Sequence, residues 1–367
     1  MPRILISGYY GFNNAGDDVV LYGIISSLRR EQPHISLSVL SNQPERTAAL
    51  FGIAAHNRWR LSVIFRELSR CDLLVMGGGT LMQDVTSPRS VLYYLGIVTM
   101  AKMLGKPVVF YAQGFGPVLK PFSRWMIKRV VNLVDVITVR DFESGEDFKA
   151  CGVTAPLYVT ADPALTIHPD EIDAEPGRRM LASLFSDMSK PLIAFSVRNW
   201  KQEERFKQAI ARAADYFAEQ GWNVLFLPMH YPSDIAPSKE IIGMMGRPGA
   251  RIIEQEVTFH EIMSILKNCQ YVVGMRLHSL ILACMLQVPF TGISYDPKID
   301  RFVERAGMPC AGHIVDLDSE ALLALLTERT RDLERERAIV SRTSQALARE
   351  AGKSSELVLQ ALRANQR

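Results

Sequence analysis

The sequence predicts an α/β protein of two Rossmann-like domains, with parallel sheets facing across a cleft. Short apolar segments alternate with segments of helical periodicity along nearly the whole chain. The alternation breaks once near the middle and then restarts, giving two halves of similar size. Unbroken β–α alternation with apolar strands implies parallel sheets covered by helices on both faces. The length of 367 residues agrees with two domains at about 150 residues each.

In the first half the strand candidates are 3–7, 36–41, 72–76, 107–112, 135–139 and 156–160. Helical patterns follow them; after Gly16, residues Val20, Leu21, Ile24, Ile25 and Leu28 mark one helix face. "HPDEIDAEPGRRMLASLFSDMSKP" then interrupts the pattern with prolines and mixed charge, which reads as an interdomain link. Strand candidates resume at 192–197, 223–228, 251–254, 270–275, 290–294 and 313–316, before an Arg- and Glu-rich helical tail. The expected boundaries are 1–167, a linker at 168–190, a second domain at 191–318 and a tail at 319–367.

Composition narrows the function. A chain with 48% hydrophobic and 22% charged residues is that of a globular protein, and a net charge of +3 gives no reason to expect nucleic acid. Five scattered cysteines without CxxC spacing suit a reduced, cytoplasmic protein with buried thiols. No signal peptide is expected, because the chain enters a strand at once. The longest apolar run, about Val91 to Ala101, is too short to span a bilayer. A peripheral membrane role stays open. No HExxH or paired Cys/His spacing argues for a metal.

Open parallel sheets bind ligands at the carboxyl ends of their strands, so the segments after each strand matter most. In the first half these are "GYYGFNNAGDD" (8–18), "GGGTLMQD" (77–84), "QGFGP" (113–117) and "RDFES" (140–144). Glycines let a ligand approach the backbone, and Thr80, Gln83, Asp84 and Gln113 can hydrogen-bond hydroxyls. Ordinary tight turns would also use glycine, and Asp17 or Asp18 could simply cap a helix.

In the second half the strand ends carry cations and histidines: "RNW" (198–200), "PMHYPSD" (228–234), "MRLHS" (275–279) and "SYDPKID" (294–300). Arg276 precedes a helix N-terminus, a natural anion seat. His278 can exchange protons near neutral pH. With Arg198 and Lys298 at neighbouring strand ends, the pattern suggests a pocket for a small polyanion. The competing reading is a structural ion pair at Arg276 and a histidine that caps its own helix. His230 is a further candidate for this edge; His56, His168, His260 and His313 read as structural or solvated.

Taken together, "GYYGFNNAGDD", "GGGTLMQD", "QGFGP", "VRD" at 139–141, "ADPAL" at 161–165, "MRLHS" and "YDPK" resemble the polysaccharide pyruvyl transferase family, closest to its CsaB-type members. The resemblance implies a GT-B-like fold. It implies transfer of a pyruvyl group from phosphoenolpyruvate to a sugar as a ketal across two hydroxyls. The acceptor would be N-acetylmannosamine in a lipid-diphosphate-linked cell-wall polymer precursor, for S-layer protein anchoring. It further implies that His278 is catalytic and that Arg198, Arg276, Leu277 and Lys298 bind phosphoenolpyruvate. The acceptor side would use Asn13, Asn14, Asp17, Gly78, Gly79, Thr80, Gln83, Asp84, Gln113 and Arg140. No metal or organic cofactor is required. The chain would work in the cytoplasm, at the inner face of the membrane.

Two alternatives share these features: a GT-B glycosyltransferase using a nucleotide sugar, and a non-catalytic glycan-binding protein. The stretch "KPFSRWMIKRVVNLV" (120–134) mixes cations with Phe122, Trp125, Met126 and Ile127. It is either a membrane-facing surface or the core face of an ordinary helix.

Overall fold

Runs of β-branched and leucine residues, each ending in a glycine or polar turn, pair into parallel sheets. The computed structural model describes residues 1–85, 88–200 and 204–365. They form two compact units, Met1–Ile167 with Leu347–Arg367, and His168–Ala346.

The first unit runs β1 (Arg3–Ser7), α1 (Ala15–Glu31), β2 (Ser36–Ser41), α2 (Pro44–Phe51), β3 (Ala54–Asn57), α3 (Leu61–Arg70), β4 (Leu73–Met76), β5 (Gly79–Met82), α4 (Pro88–Met103), β6 (Val108–Phe115), α5 (Pro121–Val131), β7 (Val136–Val139), α6 (Phe142–Ala150) and β8 (Leu157–Val159). Its parallel strands lie in the order β3-β2-β1-β4-β6-β7-β8, and β5 pairs with β6. The cap of α1 is Asn14, whose side chain accepts from the Gly16 N–H; Asp17 and Asp18 lie in the first turn, where they favour the helix dipole. Leu68, Leu95, Ile127 and Val131 from α3, α4 and α5 are fully buried in one core with strand residues such as Leu74 and Phe110.

The second unit runs α7 (Glu175–Leu184), β9 (Leu192–Ser196), α8 (Arg205–Glu219), β10 (Asn223–Phe226), α9 (Ile235–Met244), β11 (Ala250–Ile252), α10 (Phe259–Lys267), β12 (Tyr271–Gly274), α11 (Leu277–Met285), β13 (Phe290–Ser294), α12 (Pro297–Arg305), β14 (Cys310–His313) and α13 (Ser319–Thr330). Its six parallel strands lie in the order β11-β10-β9-β12-β13-β14. Gly274 lets α11 close on β12: a Cβ there would stand 2.4 Å from Ser279 Oγ.

The last helix, α14 (Leu333–Ala364), starts in the second unit, and its residues from Leu347 belong to the first. Buried hydroxyls fix that end. Ser354 Oγ lies 2.9 Å from both Thr138 Oγ1 and Thr160 Oγ1, and Ser27 donates to Ser355 at 2.8 Å.

Several elements differ from the sequence reading. β3, with the sequence Ala-Ala-His-Asn, is an edge strand without β-branched residues, so composition does not announce it. The segment after β4 is not a tight turn. The chain kinks at Gly77 and Gly78 and runs on extended as β5 beside β6, with Gly79 at φ +94°. β14 ends at His313 rather than starting there; Ile314, just past its end, is fully buried and still donates its N–H to the Ser294 carbonyl of β13 at 2.8 Å. The 168–190 segment is not bare linker: it carries α7, whose Gly177 packs on the α10 backbone and donates to Ser264 Oγ at 2.7 Å. Four cysteines are buried, and Cys310 is exposed.

Candidate functional site

The carboxyl edge of the second sheet gathers the expected cations into one connected cluster. Arg276 is the N-cap residue of α11. Its guanidinium is bidentate on Asp234, with Nε donating to Oδ2 at 2.9 Å and Nη2 to Oδ1. Asp234 is 1% exposed and also accepts from the Met229 and His230 N–H groups, at 3.2 and 3.0 Å. One carboxylate therefore fixes both the β10–α9 turn and the arginine beside it. Two of the five guanidinium N–H groups are so engaged, and the geometry of the others suits an anion.

Arg198, beyond β9, donates from Nη1 to the Tyr295 hydroxyl at 2.7 Å, and its guanidinium lies 4.7 Å from the Tyr295 ring centroid. Lys298 Nζ lies 5.8 Å from the same ring and 3.1 Å from Asp296. Tyr295 is thus the hinge between two of the cations. His230 joins the group electrically: burial, then the Arg276 and Arg198 charges, push its pKa below the usual histidine value, against the opposing pull of Asp234. His278 is half-buried at the second position of α11. The Leu277 side chain is 6% exposed and belongs to the core, so what it can offer a ligand is its N–H at the first helical position. Sequence reading missed Asp234 and Tyr295, although both stand inside the quoted "PMHYPSD" and "SYDPKID". A buried carboxylate among cations looks like a turn residue until the turn is folded.

The first sheet's carboxyl edge behaves differently. Arg140 is 8% exposed and lies 3.5 Å from Asp162, 3.7 Å from Asp141 and 3.2 Å from Thr80 Oγ1. Gly114 leaves room for the Arg140 guanidinium, which would stand 2.8 Å from a Cβ there. Gly116 likewise makes room for Thr80 and Gln83. Asp17 stands 3.4 Å from where a Gly79 Cβ would be, and accepts from Asn14 Nδ2 at 2.5 Å. Asn13 has φ +57°, a left-handed conformation that asparagine tolerates, and its Oδ1 is buried. Thr80, Gln83, Arg140, Asp17 and Asn13 therefore share this edge.

Three of the expected acceptor residues are tied into the scaffold. Gln113 is fully buried, and its amide donates to the Met76 and Gly77 carbonyls at 3.0 and 2.5 Å, fixing the glycine kink. It follows Ala112, which has φ +46° at an irregularity of the β6–β7 pairing. Asp84 is 4% exposed and caps the start of α5, accepting from the Leu119 and Lys120 N–H groups at 2.8 and 3.0 Å. Burial would raise its pKa, but these bonds and the Ser123 hydroxyl outweigh that and hold it below the usual carboxylate value. Gly78 is packed against Val20 and Pro163.

The sequence pattern described as "Polysaccharide pyruvyl transferase" matches residues 14–297. The chain belongs to the polysaccharide pyruvyl transferase family. It is accordingly a transferase, of a family that pyruvylates polysaccharide. It is also similar to the amylovoran biosynthesis protein AmsJ of Erwinia amylovora, 21% identical over 364 residues, covering 84% of this chain and 86% of that one. Among solved structures it is similar to Anabaena HepE in complex with UDP-glucose (TM-score 0.68, 10% identity, 99% of this chain and 100% of that one). A second is the UDP-GlcNAc 2-epimerase of Neisseria meningitidis bound to UDP-GlcNAc (TM-score 0.66, 12% identity, 99% and 100%). Likeness at such identity shows the fold, a GT-B-like pair of parallel-sheet units. Among the described residues, no helix is long and apolar enough to cross a membrane, and no group of three or more His, Cys, Asp or Glu could hold a metal ion.

Proposed function

We propose that this member of the family takes its pyruvyl group from phosphoenolpyruvate and sets it as a ketal across two hydroxyls of a lipid-diphosphate-linked sugar. The observation that carries the reading is that neighbouring strand ends bring together Arg276 at the N-terminus of α11, His278 in its first turn, and Arg198 and Lys298 on Tyr295, with His230 feeling both Arg276 and Arg198. A carboxylate and a phosphate on one small molecule need several cations and helix N–H groups in one place.

In this reading a proton is added to the methylene carbon of phosphoenolpyruvate, which makes its C2 electrophilic. A sugar hydroxyl attacks C2 and loses its proton; the C2–O bond to phosphate breaks; the second hydroxyl closes the ketal and loses its proton to the departing phosphate. His278 is the general acid or base, a role that typically supplies about 10²–10⁴-fold. Arg198, Arg276 and Lys298 hold the anionic groups, Leu277 contributes its N–H, and Asp234 orients Arg276. Thr80, Gln83, Arg140, Asp17 and Asn13 serve the acceptor. N-acetylmannosamine of a cell-wall polymer precursor, for S-layer anchoring, is the acceptor the CsaB-type resemblance suggests.

A lipid-linked acceptor brings the enzyme to a bilayer, at the inner face of the cell membrane. The outer face of α5 suits that location: Phe122 and Trp125 are 58% and 52% exposed beside exposed Arg124, Lys128 and Arg129. Ile127, Val130 and Val131 form the opposite, buried face. The test is incubation with phosphoenolpyruvate, or with UDP-sugars, and a short-chain prenyl-diphosphate disaccharide. Acceptor-dependent phosphate release with a mass gain of one pyruvyl ketal is expected. UDP release without phosphate release would replace the reading with a glycosyltransferase.

A further inference from the structure

The same edge of the first sheet carries a second cluster, at the ends of β1, β2 and β3. Arg58 follows β3 and is 3% exposed. Its Nη1 donates to the Gly8 carbonyl at 2.8 Å and its Nη2 to the Tyr94 hydroxyl at 3.2 Å. Among the described residues no carboxylate pairs with it. Its charge is met by four rings: Tyr93, Phe12, Trp59 and Tyr94, with centroids 4.6, 5.1, 5.1 and 5.6 Å from the guanidinium carbon. A cation this dry over ring faces is attracted by their quadrupoles and holds the rings in place.

The rings are fixed further by specific contacts. Phe12 stacks on Tyr9 at 4.2 Å and 10°. The Trp59 indole N–H donates to Asn42 Oδ1 at 2.8 Å, and the Tyr93 hydroxyl donates to the Arg58 carbonyl at 2.8 Å. Yet Tyr9 is 41% and Trp59 58% exposed. Large aromatic rings held immobile and still open to water, at the ligand edge of a parallel sheet, are built to receive something flat and partly apolar.

We propose that Tyr9, Phe12 and Trp59, pinned by Arg58, form a stacking subsite for a pyranose ring of the acceptor glycan. The subsite rests on the reading that this unit takes the acceptor. A pyranose has a face of C–H groups, slightly positive, which suits the negative π face of an aromatic ring. Asn42, which accepts from Trp59 and donates to the Gly11 carbonyl, fixes the Trp59 ring rather than the sugar. The rings need no reordering on binding, so little entropy is lost. β5 pairs with β6 on the edge that β4 also uses, with β7 on the other. The Thr80–Gln83 region therefore continues the line of β4, one strand interval from the β1 end that carries the Tyr9 turn, about 5 Å. That separation fits consecutive sugars of one chain: the sugar to be pyruvylated at β5 and β6, its neighbour on the aromatic subsite.

The probe is the short-chain prenyl-diphosphate disaccharide, compared with the monosaccharide analogue. Trp59→Ala and Tyr9→Ala are expected to raise the disaccharide KM at least tenfold, while the monosaccharide and phosphoenolpyruvate KM stay within twofold. Trp59→Phe, which keeps a ring, should recover most of the loss. Disaccharide binding read by tryptophan fluorescence of the Tyr9→Ala variant without phosphoenolpyruvate separates the two ideas. Tyr9-dependent binding without any transfer by wild type sinks the reaction and keeps the subsite. Transfer with unchanged disaccharide KM in both alanine variants overturns the subsite. So does a loss that appears only as weaker sedimentation with anionic liposomes, which would make Trp59 part of a membrane surface with its exposed neighbours Leu61 and Phe65.

Discussion

Replacing Asp234 with asparagine tests how the cationic cluster is held. The side chain keeps its shape and one oxygen for the Met229 and His230 N–H groups, but the charge that faces Arg276 is gone. Removing one partner of a buried pair costs about 3–5 kcal/mol. Asp234 is 1% exposed but the Arg276 side chain is 18% exposed, so water compensates in part and about 3 kcal/mol is expected. In a unit of this size that lowers the melting temperature by roughly 6–12 °C. Arg276 also loses its orientation. Hydrogen bonds to charged groups contribute about 1.5–3 kcal/mol, so the phosphoenolpyruvate KM should rise roughly ten- to hundredfold. Because Asp234 positions Arg276 without touching the reacting atoms, kcat should fall much less than KM rises. Calorimetry and initial-rate kinetics read both effects. A melting temperature within about 2 °C of wild type together with an unchanged KM would refute the argument.

Four other outcomes are expected. His278→Ala should lower kcat by about 10²–10⁴-fold and leave phosphoenolpyruvate binding by calorimetry intact; full turnover would remove its catalytic role. Neutralising Arg198 or Lys298 should weaken phosphoenolpyruvate binding far more than neutralising the exposed Arg363 on α14, and a complex with the ligand bound away from both would reject the assignment. His230 has a depressed pKa in the fold, so the unfolded chain takes up its proton first. Its contribution to stability is present above about pH 6.5 and lost as pH falls through the lowered folded value; His230→Gln should flatten that part of the melting-temperature profile, and an unchanged profile would count against it. Charge reversal at Arg124 and Lys128 should reduce sedimentation with anionic liposomes, at roughly 1 kcal/mol per cation, while activity on a water-soluble acceptor stays level. Equal sedimentation would clear α5 of membrane contact.

The sequence by itself determined the architecture and which side chains gather at the strand ends. Period-2 and period-3.6 patterns are local, so strands such as Leu73–Met76 and helices such as Ala15–Glu31 are legible without a fold. Parallel pairing then sends every strand-end motif to one edge of its sheet, which is why Arg198, Arg276, His278 and Lys298 could be named together. What the sequence could not show is which polar side chain spends its hydrogen bonds on the protein. Gln83 and Gln113 look alike in a glycine-rich segment. Only packing shows that Gln113 is fully buried, its amide holding the Met76 and Gly77 carbonyls, while Gln83 is half-buried. Asp84 reads as a sugar ligand until the start of α5 folds over it. Arg58 had no signal at all, because β3 is a weak edge strand and three of its four rings, Phe12, Tyr93 and Tyr94, come from far along the chain. Contacts between residues distant in sequence leave no period behind them, and those contacts decide whether a charge is a ligand site or a brace.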